Sequence, residues 1–171
     1  SESYLGHKWC NYWFHVHHLN DKSGKMSKSK GDFLTVSLLE EKGYHPLVYR
    51  MFCLQSHYRK PLEFSYEVMD NIENSYRKLR KAIAKLDQTT EFEREKFTAY
   101  KEKFLEAVEN DLNTSMALTV VYEVLKADMT DKTKYALMES FDEVLSLDLT
   151  KGELVEESGV DDELESYILE K

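Results

Sequence analysis

An apolar seam over residues 69–86 constrains the fold more than any other feature of the sequence. Apolar side chains recur there at alternating steps of three and four: Met69, Ile72, Tyr76, Leu79, Ile83 and Leu86. Because an α-helix turns once in about 3.6 residues, this spacing places them all on one face. Only two prolines and six glycines occur among 171 residues, so little interrupts long helices. The seam therefore predicts a long amphipathic helix in a mainly α-helical protein.

Capping signals predict two short helices before the long one. Thr35 suits the N-cap of the first, and Gly43 suits its C-terminal stop. Pro46 suits the first turn of the second, which is expected to run to Gln55. Ser65 then stands where the N-cap of the long helix is needed.

Further helices are predicted after the seam. Thr90 and Glu93 have the spacing of a capping box, Asn113 or Thr114 caps the next helix, and another begins near Thr130. The residues expected to face inward are apolar: Phe97, Phe104, Val108, Leu118, Val121, Val124, Leu125, Tyr135, Met138, Phe141, Val144 and Leu145. Short links between helices of similar length favour an antiparallel bundle.

An aromatic segment at residues 9–19 alternates weakly and is predicted to form a strand. A lone strand is not stable, so its sheet partners are expected upstream of residue 1. The orphan strand suggests that the chain is a piece of a larger protein.

A cationic loop follows that strand at Lys25, Met26, Ser27, Lys28 and Ser29. Two lysines among small hydroxyl-bearing residues are typical of a mobile loop that closes over a polyphosphate, since ammonium groups act as point charges on phosphate oxygens. A solvated loop without a ligand is the alternative. The position between a strand and a helix favours a nucleotide site, because such sites form there in open parallel sheets.

The histidines and cysteines do not predict a metal site. On a strand, His15 and His17 share a face and His18 does not, and no acid or cysteine stands at ligand spacing nearby. Cys10 and Cys53 have no C-x-x-C partner and are expected to be buried, inert thiols. Free cysteines are the rule in a reduced, cytoplasmic compartment.

Charge is distributed unevenly along the chain. The net charge is −9, and residues 151–171 hold eight acids against two lysines. Two basic clusters lie upstream: Lys22, Lys25, Lys28 and Lys30, then Arg77, Lys78, Arg80, Lys81 and Lys85. Local patches decide phosphate contact, so a nucleic-acid partner is compatible with the acidic total, although a solvated helix face explains the second cluster equally well. No apolar run is long enough to predict a membrane span.

Five strings in the sequence belong together. The loop reads K-M-S-K-S at residues 25–29, preceded by W-F-H at 13–15 and followed by G-D-F-L-T at 31–35. L-Q-S-H-Y-R-K-P-L-E-F-S occupies residues 54–65, and D-L-N-T occupies 111–114. Together these strings resemble the cysteinyl-tRNA synthetase family, class I aminoacyl-tRNA synthetases whose second signature is K-M-S-K-S.

The resemblance covers residues 3–125 and implies an enzyme that activates cysteine with ATP and Mg and then transfers it to tRNA. Lys28 would contact ATP and Lys25 would assist, while Met26, Ser27 and Ser29 would complete the ATP-binding loop. The implied partners are tRNA(Cys), ATP and L-cysteine in the cytoplasm, with no membrane.

The resemblance also implies a division of the chain. Residues 1–31 would end a Rossmann-type catalytic domain, and residues 32–64 would form a stem-contact region. Residues 65–150 would form a helical bundle of the anticodon-binding, DALR-like type. Residues 151–171 would be an acidic linker and the start of a truncated C-terminal element.

Two family features have no match in this sequence, namely the His-x-Gly-His signature and the zinc ligands that select cysteine. Zinc is expected in the full-length enzyme but not on this chain, and the fragment alone is expected to be inactive. Two alternatives remain at this point. One is part of a related ligase that joins cysteine to an amino sugar, and the other is a helical tRNA-binding module without catalysis.

Overall fold

The computed structural model describes residues 2–21, 24–25 and 34–152, which are mainly helical. The helices are α1 (Glu2–Leu5), α2 (Val36–Glu41), α3 (Pro46–Leu54), α4 (Tyr66–Ala84), α5 (Arg94–Glu109), α6 (Thr114–Lys126) and α7 (Asp131–Leu145). The strands are β1 (Leu19–Asp21), β2 (Gly24–Lys25) and β3 (Leu62–Glu63). The predicted acidic linker and C-terminal element, from residue 153 onward, lie outside the described residues. None of the described helices combines the length and the apolar character that crossing a membrane requires.

Most predicted helix boundaries are confirmed by their caps. Thr35, Ser65 and Asn113 each accept a side-chain hydrogen bond from the backbone N–H three residues further on. Gly43 follows α2 with a φ of 90°, a left-handed conformation that glycine adopts without strain. Pro46 is the first residue of α3, as its missing N–H favours.

The predicted capping box at Thr90 and Glu93 is wrong. Glu93 is the N-cap residue of α5 but makes no side-chain cap hydrogen bond. Its carboxylate instead accepts a hydrogen bond from the N–H of Thr130 at 2.6 Å. The hydroxyl of Thr90 accepts one from the N–H of Lys132 at 3.0 Å. Both side chains therefore bind the start of α7, and this tertiary contact replaces the local cap.

The predicted strand over residues 9–19 is also wrong. Residues 9–18 contain neither helix nor strand, because no described segment supplies a ladder of hydrogen bonds beside them. β1 pairs antiparallel with β2, where Asn20 faces Lys25, and parallel with β3, where Leu19 faces Leu62. These partners lie downstream of β1, not upstream as expected, and the strand is not an orphan.

The predicted seam forms the inner face of α4. Met69, Ile72, Tyr76, Leu79 and Ile83 are buried, and Leu86 is half-buried against the same core. α4 packs on α3, whereas α5 packs on both α6 and α7. Together these helices bury one continuous hydrophobic core.

Three residues that were expected to be buried are not. Val144 is 44% exposed because it lies off the buried stripe of α7, which passes through Phe141 and Leu145. Cys53 is exposed, beside the buried face of α3, and Cys10 is half-buried.

The segment after α7 folds back against α4. The Tyr76 hydroxyl donates a buried hydrogen bond to the carbonyl oxygen of Leu147 at 2.6 Å. The carboxylate of Asp142 accepts hydrogen bonds from the N–H groups of Leu147 and Leu149, at 2.7 and 3.0 Å. The backbone of this return segment is thereby satisfied inside the core.

Tyr76→Phe is expected to lower the free energy of unfolding by about 1–2 kcal/mol, because the ring still fills the core but the buried carbonyl of Leu147 loses its donor. Urea denaturation measures this loss. Tyr12→Phe is the matched control, since Tyr12 is 90% exposed. Equal unfolding midpoints for the wild type and Tyr76→Phe would contradict the role given to this hydrogen bond.

Candidate functional site

The predicted phosphate-binding loop begins in the β1–β2 hairpin. Lys25 lies in β2, with its backbone paired to β1. Met26, Ser27, Lys28 and Ser29 lie outside the described residues. The structure thus locates the start of the loop, and the contacts of its lysines stay a prediction.

The hairpin is held by the segment that links α3 to α4. β1 is the middle strand, with β2 on one side and β3 on the other. The N–H of Phe64 donates to the carbonyl of Asn20 at 2.7 Å, and the N–H of His17 donates to the carbonyl of Tyr58 at 2.8 Å. The position of Lys25 therefore depends on residues 58–64.

One carboxylate of the α5–α6 turn binds this linking segment. The Tyr58 hydroxyl donates to Asp111 Oδ1 at 2.6 Å, and Arg59 Nε lies 3.0 Å from Asp111 Oδ2. Arg59 Nη2 donates to Asp111 Oδ1 at 3.3 Å, and Arg59 Nε also donates to the Tyr58 hydroxyl at 2.8 Å. His57 Nε2 lies 3.6 Å from Asp111 Oδ2. We call His57, Tyr58, Arg59 and Asp111 the Asp111 cluster.

The cluster is partly open to solvent. The side chains of Arg59 and Asp111 are 66% and 44% exposed, so their ion pair alone contributes little to stability. The hydrogen bond with Tyr58, followed by the charge of Asp111, raises the pKa of Arg59 above its ordinary value. Arg59 is therefore always charged. The contribution of the Asp111 cluster is geometric, because several shared hydrogen bonds fix the relative positions of its side chains.

Aromatic contacts connect a further sequence motif, W-F-H at residues 13–15, to the Asp111 cluster. The ring of Phe14 lies 4.4 Å from that of Tyr58, and the His57 ring stacks on Tyr58 at 4.7 Å. Phe14 belongs to the W-F-H string, Tyr58 to the long string at residues 54–65, and Asp111 to D-L-N-T. Three of the five strings therefore meet at one place.

The D-L-N-T string ties α6 to the same segment. Asp111 and Leu112 have φ angles of 56° and 54°, in the left-handed region. Asn113 caps α6, and the Thr114 hydroxyl donates to the carbonyl of Leu54 at 2.8 Å. Both ends of residues 54–59 are thus bound by this one turn.

In the sequence, His57 and Arg59 shortly precede Pro61, a position that suits either a phosphate contact or an anchor for the turn before Pro61. His57 is part of the anchor, because its Nδ1 accepts a hydrogen bond from the N–H of Arg59 at 3.2 Å. Its carbonyl also accepts one from the N–H of Lys60 at 2.8 Å. The binding of Arg59 to Asp111 was missed, because local pattern analysis cannot relate residues so far apart in the chain.

The basic cluster on α4 divides into two parts. Arg77, Lys78, Lys81 and the C-cap residue Lys85 are exposed. Lys81 lies four positions after Arg77 and three after Lys78, and Lys85 lies four after Lys81, so the four share one side of the helix, which we call the α4 basic stripe. Arg80 does not belong to it, since this half-buried side chain donates to the carbonyls of residues 151 and 152.

The described residues contain no group of three or more histidine, cysteine or acidic side chains that could hold a metal. Among the three clustered histidines, the His17 and His18 rings lie 6.2 Å apart, and His15 stacks on Trp13 at 6.3 Å. Aromatic packing accounts for the position of His15.

Comparison with known proteins decides the family. The model of a family described as tRNA synthetases class I (C) catalytic domain matches residues 1–74. A cysteine–tRNA ligase of Novosphingobium aromaticivorans is 40% identical over 167 residues, which are 87% of this chain and 34% of that protein. The chain belongs to the cysteinyl-tRNA synthetase family. The resemblance seen in the five strings is thereby confirmed.

Other relatives extend this match within the cysteinyl-tRNA synthetase family. A cysteine–tRNA ligase of Thermococcus gammatolerans is 39% identical over 140 residues, covering 74% of this chain and 29% of that protein. One of Lactococcus lactis is 32% identical over 171 residues, covering 100% of this chain and 38% of that protein. The chain therefore spans roughly a third of the length of the curated relatives it matches.

Proposed function

We propose that this chain is part of a cysteine–tRNA ligase that activates L-cysteine with ATP and transfers it to tRNA(Cys). The observation that carries the proposal is the 40% identity to a relative named cysteine–tRNA ligase, over 87% of this chain. The K-M-S-K-S loop that leaves the β1–β2 hairpin at Lys25 supports it, because a cationic loop beside a strand suits a polyphosphate ligand.

The proposed chemistry assigns roles to the loop. The cysteine carboxylate attacks the α-phosphate of ATP, forming cysteinyl-adenylate and releasing pyrophosphate. Negative charge builds up on the departing pyrophosphate, and fixed cations stabilise it. Lys28 contacts ATP there and Lys25 assists, while the hydroxyls of Ser27 and Ser29 add hydrogen bonds and Met26 completes the loop. Mg²⁺ accompanies ATP, and zinc is assigned to parts of the ligase other than this chain.

The proposed domain division follows the family. Residues 1–31 end the catalytic domain, residues 32–64 form the stem-contact region, residues 65–150 form an antiparallel bundle of the anticodon-binding type, and residues 151–171 lead onward. The Asp111 cluster would then join the stem-contact region to the bundle.

Charging of tRNA tests the proposal. The ligase that contains this chain is expected to attach cysteine to tRNA(Cys), and the 171-residue chain alone is expected not to, since the His-x-Gly-His signature has no match in it. Failure of the ligase to charge tRNA would favour an amino sugar as the acceptor. Charging by the chain alone would contradict the expectation that activity requires the His-x-Gly-His signature.

We further propose that the α4 basic stripe contacts tRNA phosphates. It presents four exposed cations on one helix face, and of these only Arg77 forms an ion pair among the described residues, with Glu73 at 3.0 Å. Lysines without ion-pair partners can neutralise phosphates and release counterions. The alternative is that these cations only interact favourably with the C-terminal end of the helix dipole. In that case they would give no preference for binding tRNA.

Replacing Lys78 and Lys81 by glutamine is expected to weaken binding of tRNA(Cys) to the 171-residue chain. The slope of log affinity against log salt should fall by about 1–2, since each lost phosphate contact removes roughly one unit. Filter binding over a salt series measures this slope. Lys126→Gln with Lys132→Gln is the matched control, because these exposed lysines lie on α6 and α7. An equal slope for the two double variants would exclude the stripe as the contact.

A further inference from the structure

A chain of direct contacts leads from the α5–α6 turn to Lys25. Asp111 holds Tyr58 and Arg59, with the Tyr58 hydroxyl 2.6 Å from Oδ1 and Arg59 Nε 3.0 Å from Oδ2. The carbonyl of Tyr58 binds the N–H of His17, just before β1. β1 then pairs with β2, which ends at Lys25. Each step is a hydrogen bond or ion pair between consecutive parts of the path.

The path has a second arm on the other side of β1. The segment that follows Arg59 enters β3, which pairs parallel with β1. The N–H of Phe64 extends this pairing to the carbonyl of Asn20 at 2.7 Å. Because β1 and β3 are only two to three residues long, their few hydrogen bonds hold the hairpin weakly by themselves. The Asp111 cluster supplies side-chain contacts at the point where this small sheet meets the helices.

The backbone at Asp111 points to a role for its side chain. Its φ of 56° and the φ of 54° at Leu112 lie in the left-handed region, which disfavours most residues with a Cβ, leucine included, and which aspartate tolerates better than most. Glycine would form the same turn without that cost. The turn alone therefore does not require aspartate, whereas the contacts with Tyr58 and Arg59 do.

We infer that Asp111 is a positioning residue, which holds the hairpin bearing Lys25 in place against the helical part of the molecule. It acts through Tyr58 and Arg59 and contacts neither ATP nor cysteine. The consequence for ATP rests on the proposed function of the K-M-S-K-S loop, whereas the effect on the hairpin does not.

Amide hydrogen exchange on the 171-residue chain tests the placement. Asp111→Gly is expected to speed exchange at the amides of His17 and Phe64 roughly three- to tenfold, the effect of losing the net contribution of about one ordinary hydrogen bond at a partly exposed site. Leu112→Gly is the matched control, since it relaxes the neighbouring left-handed residue and keeps the carboxylate. Asp111→Asn keeps one acceptor oxygen and should retain part of the protection. Equal exchange in the two glycine variants would overturn the inference.

The ligase that contains this chain provides the second readout. Asp111→Gly should raise the KM for ATP roughly three- to tenfold in ATP–pyrophosphate exchange and leave the KM for cysteine unchanged, since a displaced loop affects only its own ligand. A structural defect alone would change the KM for ATP and the KM for cysteine together, or would lower the melting temperature. A wild-type ligase without cysteine-dependent exchange would refute the proposed function and leave the amide result standing. An unchanged KM for ATP in an active ligase would overturn the inference alone.

Discussion

Truncating Phe104 to alanine is expected to lower the free energy of unfolding by about 3–5 kcal/mol, the usual cost of removing a buried phenyl ring. Phe104 is 1% exposed, and its ring stacks on Phe141 with centroids 4.1 Å apart and planes 10° apart. The pair joins α5 to α7, so the truncation leaves a cavity between two helices that cannot easily close. Small domains have only about 5–15 kcal/mol of stability in total, so the loss should be visible as a large drop in the urea midpoint.

Phe92→Ala provides the control for that experiment. Phe92 precedes α5 and is 45% exposed, with its ring 5.3 Å from that of Phe97. The chemical change is identical, yet the expected loss is at most about 1 kcal/mol because little packing is removed. If the two variants unfolded at the same urea concentration, the stacked pair would not be a central contact of the core.

The helices could be predicted because their signals are local. The seam of α4 follows from helical periodicity, and Ser65 and Asn113 cap through hydrogen bonds that span three residues. Residues a few positions apart in sequence are neighbours on a helix whatever the rest of the chain does. The long stretches of regular helix were therefore accessible from the sequence alone.

The errors occur where distant residues compete with local patterns. Glu93 has the spacing of a capping box, but its carboxylate binds the N–H of Thr130 at the start of α7. The aromatic segment before Leu19 has strand-like residues but no facing ladder among the described residues. A side chain or a strand forms hydrogen bonds with the groups that the tertiary fold places beside it. Those groups lie far away in the sequence, so a local pattern does not reveal them.

The candidate site also contains one part that the sequence predicted and one part that it did not. The K-M-S-K-S loop could be recognised as a string, and the structure adds that it starts from β2, which pairs with β1, the middle strand of the small sheet. The contact of Arg59 with Asp111 could not be predicted, because an ion pair between residues so far apart leaves no periodic trace. Family resemblance selected both strings without showing that they touch.

Lys28→Ala in the ligase that contains this chain is expected to slow cysteine activation by about 10²–10³-fold, the typical loss when one preorganised group that stabilises developing charge is removed. Activation is read as cysteine-dependent ATP–pyrophosphate exchange. The melting temperature should not change, because a lysine that serves a ligand adds nothing to the core.

Lys30→Ala is the matched control for Lys28→Ala, since it removes the same charge two positions beyond, outside the K-M-S-K-S string. Lys30→Ala should keep most of the activity if the exact position of the Lys28 ammonium group matters more than the total positive charge of the loop region. Lys28→Arg separates charge from shape, because a planar guanidinium keeps the charge but cannot reproduce the compact ammonium. Partial activity in this variant is therefore expected. A Lys28→Ala ligase that activates cysteine at the wild-type rate would remove Lys28 from the mechanism, and equal losses in Lys28→Ala and Lys30→Ala would reduce the role of the loop to general electrostatic attraction.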